Sequence, residues 1–404
     1  MIKKSWQYFR RFGLVPTIIK TLSKLWRVIR QVPLRIAEYF VACVYINSLS
    51  VKASCKTVYI MIPCIDWSIP LFQRPHQIAV ELSKLPDAFV FFVPDQYQYD
   101  SFCYCKKINS NLYLLSTSVV KHLRKITAKS RERIVFMSWT RHFNLLKKFS
   151  YDKLIYEYID ELTLFYYYNK QMEDTHRKLM KISDVTVATA TKLYENAKPF
   201  AKKLILCENA GDYRFFNNNR NQAVDLMLAE KLQDYDAVLG YYGCLAYWFD
   251  YSIVLDAAHK NPEWLFVLVG HVFDDTAKAA LTDIPSNIIV IPAQPYERLP
   301  SFLNAFDIAL VPFVINEITL STSPVKIFEY MAAGKPILSA DLPECRKYKS
   351  IYRYTGIEDF ITKAIELLKR NECQQYRKNL DEEARQNTWG QRVKQMLSEV
   401  SADA

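Results

Sequence analysis

Two side chains one helical turn apart, Lys326 and Glu329, have the types and spacing to hold a group that carries both a phosphate and hydroxyls. They sit within residues 321–344, STSPVKIFEYMAAGKPILSADLPE. Ser321, Thr322, Ser323 and Pro324 make a small, polar opening before a helical run over 325–333. Gly334 stands where a helix C-cap belongs, and Pro336 and a short apolar strand at 337–338 follow. The pattern predicts a helix starting just after Ser323, with unpaired N–H groups and the positive end of its dipole facing whatever lies ahead. Lys326 in that first turn opposes the dipole unless an anion is bound there, and a helix N-terminus with an ammonium is a phosphate site. Glu329, at i+3, lies on a neighbouring part of the same face and reaches hydroxyls attached to that phosphate. Phosphate plus hydroxyls describes a nucleotide. The same pair also fits an exposed ion pair on an ordinary helix, and spacing alone leaves both readings open.

The elements that must position this stretch alternate between strand and helix from Lys56 onward, which is the α/β pattern. Buried parallel strands are expected at 57–63, 88–95, 112–117, 133–139, 153–160, 185–190 and 203–209, with helices near 73–85 and 164–182. A second domain opens near Val238, with strands ending at Gly243 and Gly270 and others at 287–293, 307–313 and 337–338. The expected division is a terminal segment 1–50, a domain 51–215, a domain 216–375, and a helical tail 376–404 anchored by Trp389. Ligands of open α/β sheets sit at the carboxyl ends of the strands, so two such sheets point to a cleft between them.

Several residues follow strand ends and so face that cleft. Asp66 and Arg74 lie in CIDWSIPLFQRPHQ, where Arg74 would hold a phosphate or an acidic acceptor, or else pair locally. His142 follows the strand at 133–139, and the adjacent carboxylates Asp160 and Glu161 end the strand at 153–160. Alternation along a strand sends one of such a pair to the cleft and leaves the other structural. Asp160 and His142 are the candidate catalytic groups. Gly243 and Gly270 would let backbone approach a ligand.

At 404 residues, half of them hydrophobic, the chain has room for two real cores. Only eight glycines are present, which argues against an extended Gly-rich phosphate loop. The nine cysteines contain no CxxC pair, so neither a zinc site nor a disulfide framework is supported, and a reducing cytoplasm fits best. The net charge of +11 is concentrated at one end: residues 1–37 hold nine Lys/Arg and no acid, and the remainder carries 44 basic and 42 acidic residues. A nucleic-acid groove across the body is therefore not indicated. Ile18, Leu22, Leu25 and Ile29 cluster within about 60° on a helix, opposite Lys20, Lys24, Arg27 and Arg30. Such a basic amphipathic helix would bind an anionic membrane surface through residues 1–35, or pack on the protein's own body. The apolar run 39–46 is too short to span a membrane.

Residues 321–343 resemble the donor-binding segment of retaining GT-B glycosyltransferases of the group 1 type. More specifically, they resemble a bacterial surface-polysaccharide branch, similar to teichuronic acid biosynthesis glycosyltransferases, whose segment reads SPxKxFEYMAxGKPV. The resemblance implies a GT-B fold, with two facing Rossmann-like domains and an interdomain cleft. It places Glu329 where the second Glu of a Glu-x7-Glu motif binds the ribose of a sugar nucleotide; the first Glu falls at Ser321. Lys326, Ser323, Pro324, Ser321, Gly243, Gly270 and Tyr296 become donor-site residues, with base recognition near Tyr296 and with Asp66, Arg74 and Glu161 on the acceptor side of the cleft. Asn209 and Asp212 match an Asn-Gly-x-Asp turn that closes the first domain, with Ala210 where Gly is usual. Relatives carry an Arg and a Lys after the first glycine, where this chain has Cys244, Leu245, Ala246 and Tyr247, which shifts the phosphate burden to Lys326. The resemblance further implies a retaining, metal-independent transfer without cofactor, from a nucleotide sugar to a saccharide or lipid-linked acceptor at the inner face of the plasma membrane. A nucleotide-sugar-binding scaffold and a sugar-nucleotide epimerase of the same fold remain as alternatives.

Overall fold

The computed structural model describes residues 44–401 except 64, 70, 96–98, 103 and 371–372, so the expected amphipathic helix lies outside the described residues. The first domain is an eight-stranded sheet built from β1 (Thr57–Ile62), β2 (Ala88–Phe92), β3 (Cys105–Lys107), β4 (Leu112–Leu115), β5 (Glu132–Met137), β6 (Lys153–Tyr158), β7 (Val185–Ala188) and β8 (Leu204–Leu206). Its order is β3-β4-β2-β1-β5-β6-β7-β8. Every pairing is parallel except β3 with β4. The central strand β1, TVYIMI, is buried at all six positions, as a parallel strand covered on both faces must be.

The second domain is a six-stranded sheet of β9 (Ala237–Tyr242), β10 (Trp264–Val269), β11 (Ile288–Ile291), β12 (Ile308–Val311), β13 (Ile337–Ala340) and β14 (Ile351–Tyr354). The order is β11-β10-β9-β12-β13-β14, parallel throughout. In both sheets the chain reverses direction of winding beside the first strand, between β1 and β5 and between β9 and β12. Those switch points open crevices at the strands' carboxyl ends.

The helices used below are α1 (Arg74–Ser83), α2 (Lys170–Ile182), α3 (Tyr251–Lys260), α4 (Val325–Ala332), α5 (Ile357–Arg370), α6 (Gln374–Gln386) and α7 (Trp389–Ser401). Each starts and stops for local reasons. Asn169 and Asp250 cap α2 and α3 by accepting from Met172 and Ile253 N–H groups. Helix α4 ends as a Schellman motif: Gly334 (φ +72°) donates to the Met331 carbonyl and Lys335 N to the Tyr330 carbonyl, both at 2.9 Å.

The chain crosses between domains twice. Residues 209–212 make the first crossing, and the backbone of Gly211 is so close to α4 that a Cβ there would lie 2.9 Å from the Phe328 carbonyl carbon. The second lies between α6, whose Tyr376, Leu380 and Ala384 join the core of the second domain, and α7. Trp389, Val393, Met396 and Val400 of α7 are buried in the core of the first domain. At roughly 1.5–3 kcal/mol for each large apolar side chain, this return helix holds the two sheets facing one another. Residues 44–53 are also helical, with Ile46, Leu49 and Ala53 buried in the first domain's core while Val44 and Val51 face outward.

Two strands were absent from the sequence expectation. Strand β3 is Cys-Lys-Lys on an antiparallel edge, too short and polar to show a period, and β14 is an edge strand half-exposed at Tyr352 and Arg353.

Candidate active site

Between the facing sheets lies a cleft of about 1110 Å³ lined by both domains. Helix α4 enters it with its first turn. Its N-cap is Pro324, which offers no side-chain cap, so the leading N–H groups are left to whatever occupies the cleft. Ser323 is engaged behind it: its hydroxyl accepts from Asn209 N at 3.2 Å and its carbonyl from Asn209 Nδ2 at 2.7 Å. Ser323 and Pro324 therefore fix the entry of α4 and do not line the cleft. Ser321 is buried, and its Oγ has no partner among the described residues.

Lys326 and Glu329 both line the cleft. The Lys326 ammonium lies 5.2 Å from the ring centroid of Tyr241 and 5.0 Å from that of Phe313, and forms no ion pair among the described residues. Although it keeps some solvent contact, the surrounding protein lowers its pKa to about 8 through lost solvation, with Glu329 opposing that shift. A cation set against a helix dipole, held by two aromatic faces and left without a carboxylate, is an anion site.

Glu329 is buried, and both its oxygens are held by phenols: Tyr242 Oη donates at 2.5 Å and Tyr296 Oη at 3.1 Å. Burial pushes its carboxyl above the ordinary range, while the two phenols and Lys326 pull it back. Each carboxylate oxygen keeps a second lone-pair direction for a ligand hydroxyl. Tyr296 is itself placed by stacking on Phe215, with centroids 5.1 Å apart and planes 18° apart. Tyr242 was missed in the sequence; its position just before Gly243 at the end of a buried strand was the available signal.

The two strand-end glycines serve each other. Gly243 (φ +141°) lines the cleft below Lys326, and a Cβ on Gly270 would sit 1.7 Å from the Gly243 carbonyl oxygen. Gly270 thus admits the backbone of Gly243, and the ligand contact expected of it falls to Gly243 alone.

On the opposite wall the adjacent carboxylates divide. Asp160 lines the cleft with no hydrogen-bond partner among the described residues; solvent reaches it, yet the crowding walls push its carboxyl up to about 6. Glu161 turns away to accept from Tyr158 Oη at 2.8 Å, Asn196 Nδ2 at 2.9 Å and Thr163. His142 faces Asp95 (Nε2 to Oδ1, 2.7 Å) and is not among the lining residues, so it is not placed to act on a ligand there. Asp66 is buried as a loop tie, accepting from Tyr99 N at 2.7 Å.

Arg74 follows the local-pairing alternative. Its guanidinium is buried and donates to Glu157 at 2.8 Å, the Glu208 carbonyl at 3.0 Å and Asn209 Oδ1 at 3.3 Å. It locks the first domain to the crossing at 209–212, which leaves no free face for a ligand phosphate. Asn209 is the hub of that crossing, since Arg392 also donates to its carbonyl. Asp212 caps the short helix Tyr213–Asn218. No group of three metal-ligating side chains is found among the described residues, and the pair Asp234 and Asp236 flanks the amino end of β9, away from the cleft.

Residues 240–370, which include Gly243, Lys326 and Glu329, match the glycosyl transferases group 1 family. The matched stretch runs from β9 to the end of α5 and includes α4. Over 203 residues the chain is 29% identical to TuaH of Bacillus subtilis (strain 168), assigned to teichuronic acid biosynthesis as a glycosyltransferase. That match covers 48% of this chain and spans half the length of TuaH. The described residues have the GT-B fold. The chain superimposes on Anabaena Alr3699/HepE in complex with UDP and glucose, with a TM-score of 0.60 and 13% identity, over 87% of this chain and all of the other. It likewise superimposes on an E. coli trehalose-6-phosphate structure bound with UDP-2-fluoro glucose, with a TM-score of 0.61 and 9% identity, over 86% of this chain and 99% of that one. In this fold the second domain contributes α4, and the first domain contributes the wall that carries Asp160.

Proposed function

We propose that the protein is a glycosyltransferase that moves a sugar from a nucleotide-sugar donor to a saccharide or lipid-linked saccharide in surface polysaccharide biosynthesis. The observation that carries this is the unpaired Lys326 at the uncapped start of α4, one turn from Glu329, in a cleft large enough for two substrates. In this reading the diphosphate takes the N–H groups of α4, the Lys326 ammonium and the backbone of Gly243, and the ribose hydroxyls donate to Glu329. The nucleoside reaches past Tyr296. The fixed dipole and cation stabilise charge on the departing diphosphate, which is the electrostatic preorganisation such a transfer needs.

The reaction is retaining and metal-independent in this proposal. The sugar–phosphate C–O bond breaks as the acceptor hydroxyl attacks from the same face, and the acceptor's proton passes to the leaving diphosphate. Asp160, across the cleft, lies on the side where the acceptor enters and supports the positive charge that develops on the sugar ring. The relatives bound to UDP make uridine diphosphate sugars the first donors to try. The basic residues 1–35 favour an acceptor at an anionic membrane surface on the cytoplasmic side.

The test offers purified protein UDP-, GDP- and dTDP-sugars with anionic liposomes that carry lipid-linked saccharides. One donor should be consumed in an acceptor-dependent way without added divalent metal. Conversion of a donor with no acceptor present would favour the epimerase, and binding of donors without any turnover would favour the scaffold.

A further inference from the structure

The cleft volume of about 1110 Å³ exceeds the roughly 300–1,000 Å³ of a single small-molecule pocket. Most of its lining comes from the first domain, with a run of aromatic side chains among amides and hydroxyls. We propose that this wall is an acceptor subsite for an uncharged pyranose, with the rings of Tyr166 and Tyr167 as its stacking surface and Asp160 as the group that disfavours anionic sugars. The proposal rests on the donor assignment above and names the class of acceptor that the same cleft takes.

The aromatic surface is exposed at its tip and locked from behind. Tyr166 is 98% exposed and Tyr167 44%. Their rings meet edge to face with centroids 4.9 Å apart, Tyr167 lies 5.5 Å from Phe165, and Phe165 packs edge-on against Trp139 at 4.9 Å. All four line the cleft. The ladder runs from the end of β5 out to solvent, so the outer rings lose little freedom when a ligand covers them. Asn169 ties the ladder's far end: it caps α2 and its Nδ2 donates to the Tyr167 carbonyl at 3.1 Å. Flat rings that cover the C–H face of a pyranose, with amides and hydroxyls at the rim for its O–H groups, are the mixed lining that holds a sugar.

The charges on this wall decide which sugar. Both of its cations are already matched, Arg74 by Glu157 at 2.8 Å and Arg141 by Asp95 at 2.9 Å. Asp160 has no such match among the described residues, so the uncompensated charge of the wall is one negative. A uronate or phosphorylated sugar placed here meets a like charge and no free cation, which is discrimination by repulsion. Among the described residues, the unpaired cation lining the cleft is Lys326, which belongs to the donor side.

The test uses saturation-transfer NMR with methyl glucopyranoside, methyl N-acetylglucosaminide and methyl glucuronide, on the full chain with and without UDP. The neutral glycosides are expected to receive saturation and the glucuronide to receive about tenfold less. Tyr166→Ala with Tyr167→Ala, both at exposed positions, should abolish the neutral signal. Asp160→Asn should raise the glucuronide signal toward that of the neutral sugars, a gain that a merely structural aspartate would not produce. Equal or stronger binding of the glucuronide by the wild-type protein, an unchanged signal in the tyrosine variant, or no binding of any glycoside would each overturn the proposal. UDP titrated into the same samples reports separately on the donor site. Its binding should be unaltered in the tyrosine variant, and its absence in the wild-type protein would remove the donor reading while leaving the sugar contact to be judged by its own signal.

Discussion

Replacing Lys326 by methionine should make this protein more stable and less able to bind a nucleotide. Methionine keeps the stem that packs on Tyr241 and Phe313 and removes the ammonium. That ammonium is lowered from 10.5 to about 8 by loss of solvation, so at neutral pH the fold carries a cation that it would hold more cheaply neutral. At about 1.4 kcal/mol per pKa unit the full cost is on the order of 3 kcal/mol, and residual solvent contact and a flexible stem reduce it to about 1–3. The sign follows from proton binding. Between about pH 8 and 10.5 the unfolded chain holds this proton and the folded one does not, so wild-type stability rises with pH there. The advantage of Lys326→Met is therefore full below pH 8 and vanishes toward 10.5. Thermal denaturation at pH 7 should show Tm higher by a few degrees in the variant, and the upward shift that UDP gives the wild-type protein should disappear. In the wild-type protein UDP affinity should fall about tenfold from pH 7 to pH 9, because the protonated fraction falls from roughly nine-tenths to one-tenth while the diphosphate charge no longer changes. A lower Tm in the variant with UDP binding retained would refute the reasoning, since Lys326 would then be a structural cation.

Three further outcomes follow from the same geometry. Gly270→Ala should cost several kcal/mol or prevent folding, because its Cβ would lie 1.7 Å from the Gly243 carbonyl oxygen; soluble yield and Tm report it. Arg74→Met should destabilise by about 3–5 kcal/mol by leaving the Glu157 charge buried with only the Ser138 hydroxyl to face it, and adding Glu157→Leu should recover much of that loss in denaturant melts. With Asp160 pushed up to about 6, kcat/KM for the proposed sugar transfer should fall as pH drops below 6 and the carboxylate takes up its proton, and Asp160→Asn should remove that acidic limb from the pH profile.

The parts of this molecule legible in its sequence were those written locally. The buried strands show as unbroken apolar runs such as TVYIMI and WLFVLV, and α4 carries its own start, its Schellman stop at Gly334 and the turn between Lys326 and Glu329. Two of the four edge strands were not legible: β3 and β14 are short and partly exposed, whereas the edge strands β8 and β11 still read as apolar runs. Nor were pairings made by folding over distance. Nothing near Arg74 announces Glu157, 83 residues on, and nothing near Glu329 announces Tyr242, 87 residues before it. His142 and Asp160 both follow strand ends and look equivalent in sequence, yet Asp95 turns the histidine aside.

The most direct test of the central claim is a calorimetric titration of UDP and 2′,3′-dideoxy-UDP into the wild-type protein and into Glu329→Ala. If Glu329 accepts from the ribose hydroxyls, a charge-assisted bond of about 1.5–3 kcal/mol is lost once, by whichever partner is removed. UDP should then bind the wild-type protein about 10- to 150-fold more tightly than the dideoxy analogue does, and the two ligands should bind Glu329→Ala alike. Equal affinities on the wild-type protein, or a difference that survives intact in the variant, would contradict the placement of the nucleotide at the start of α4.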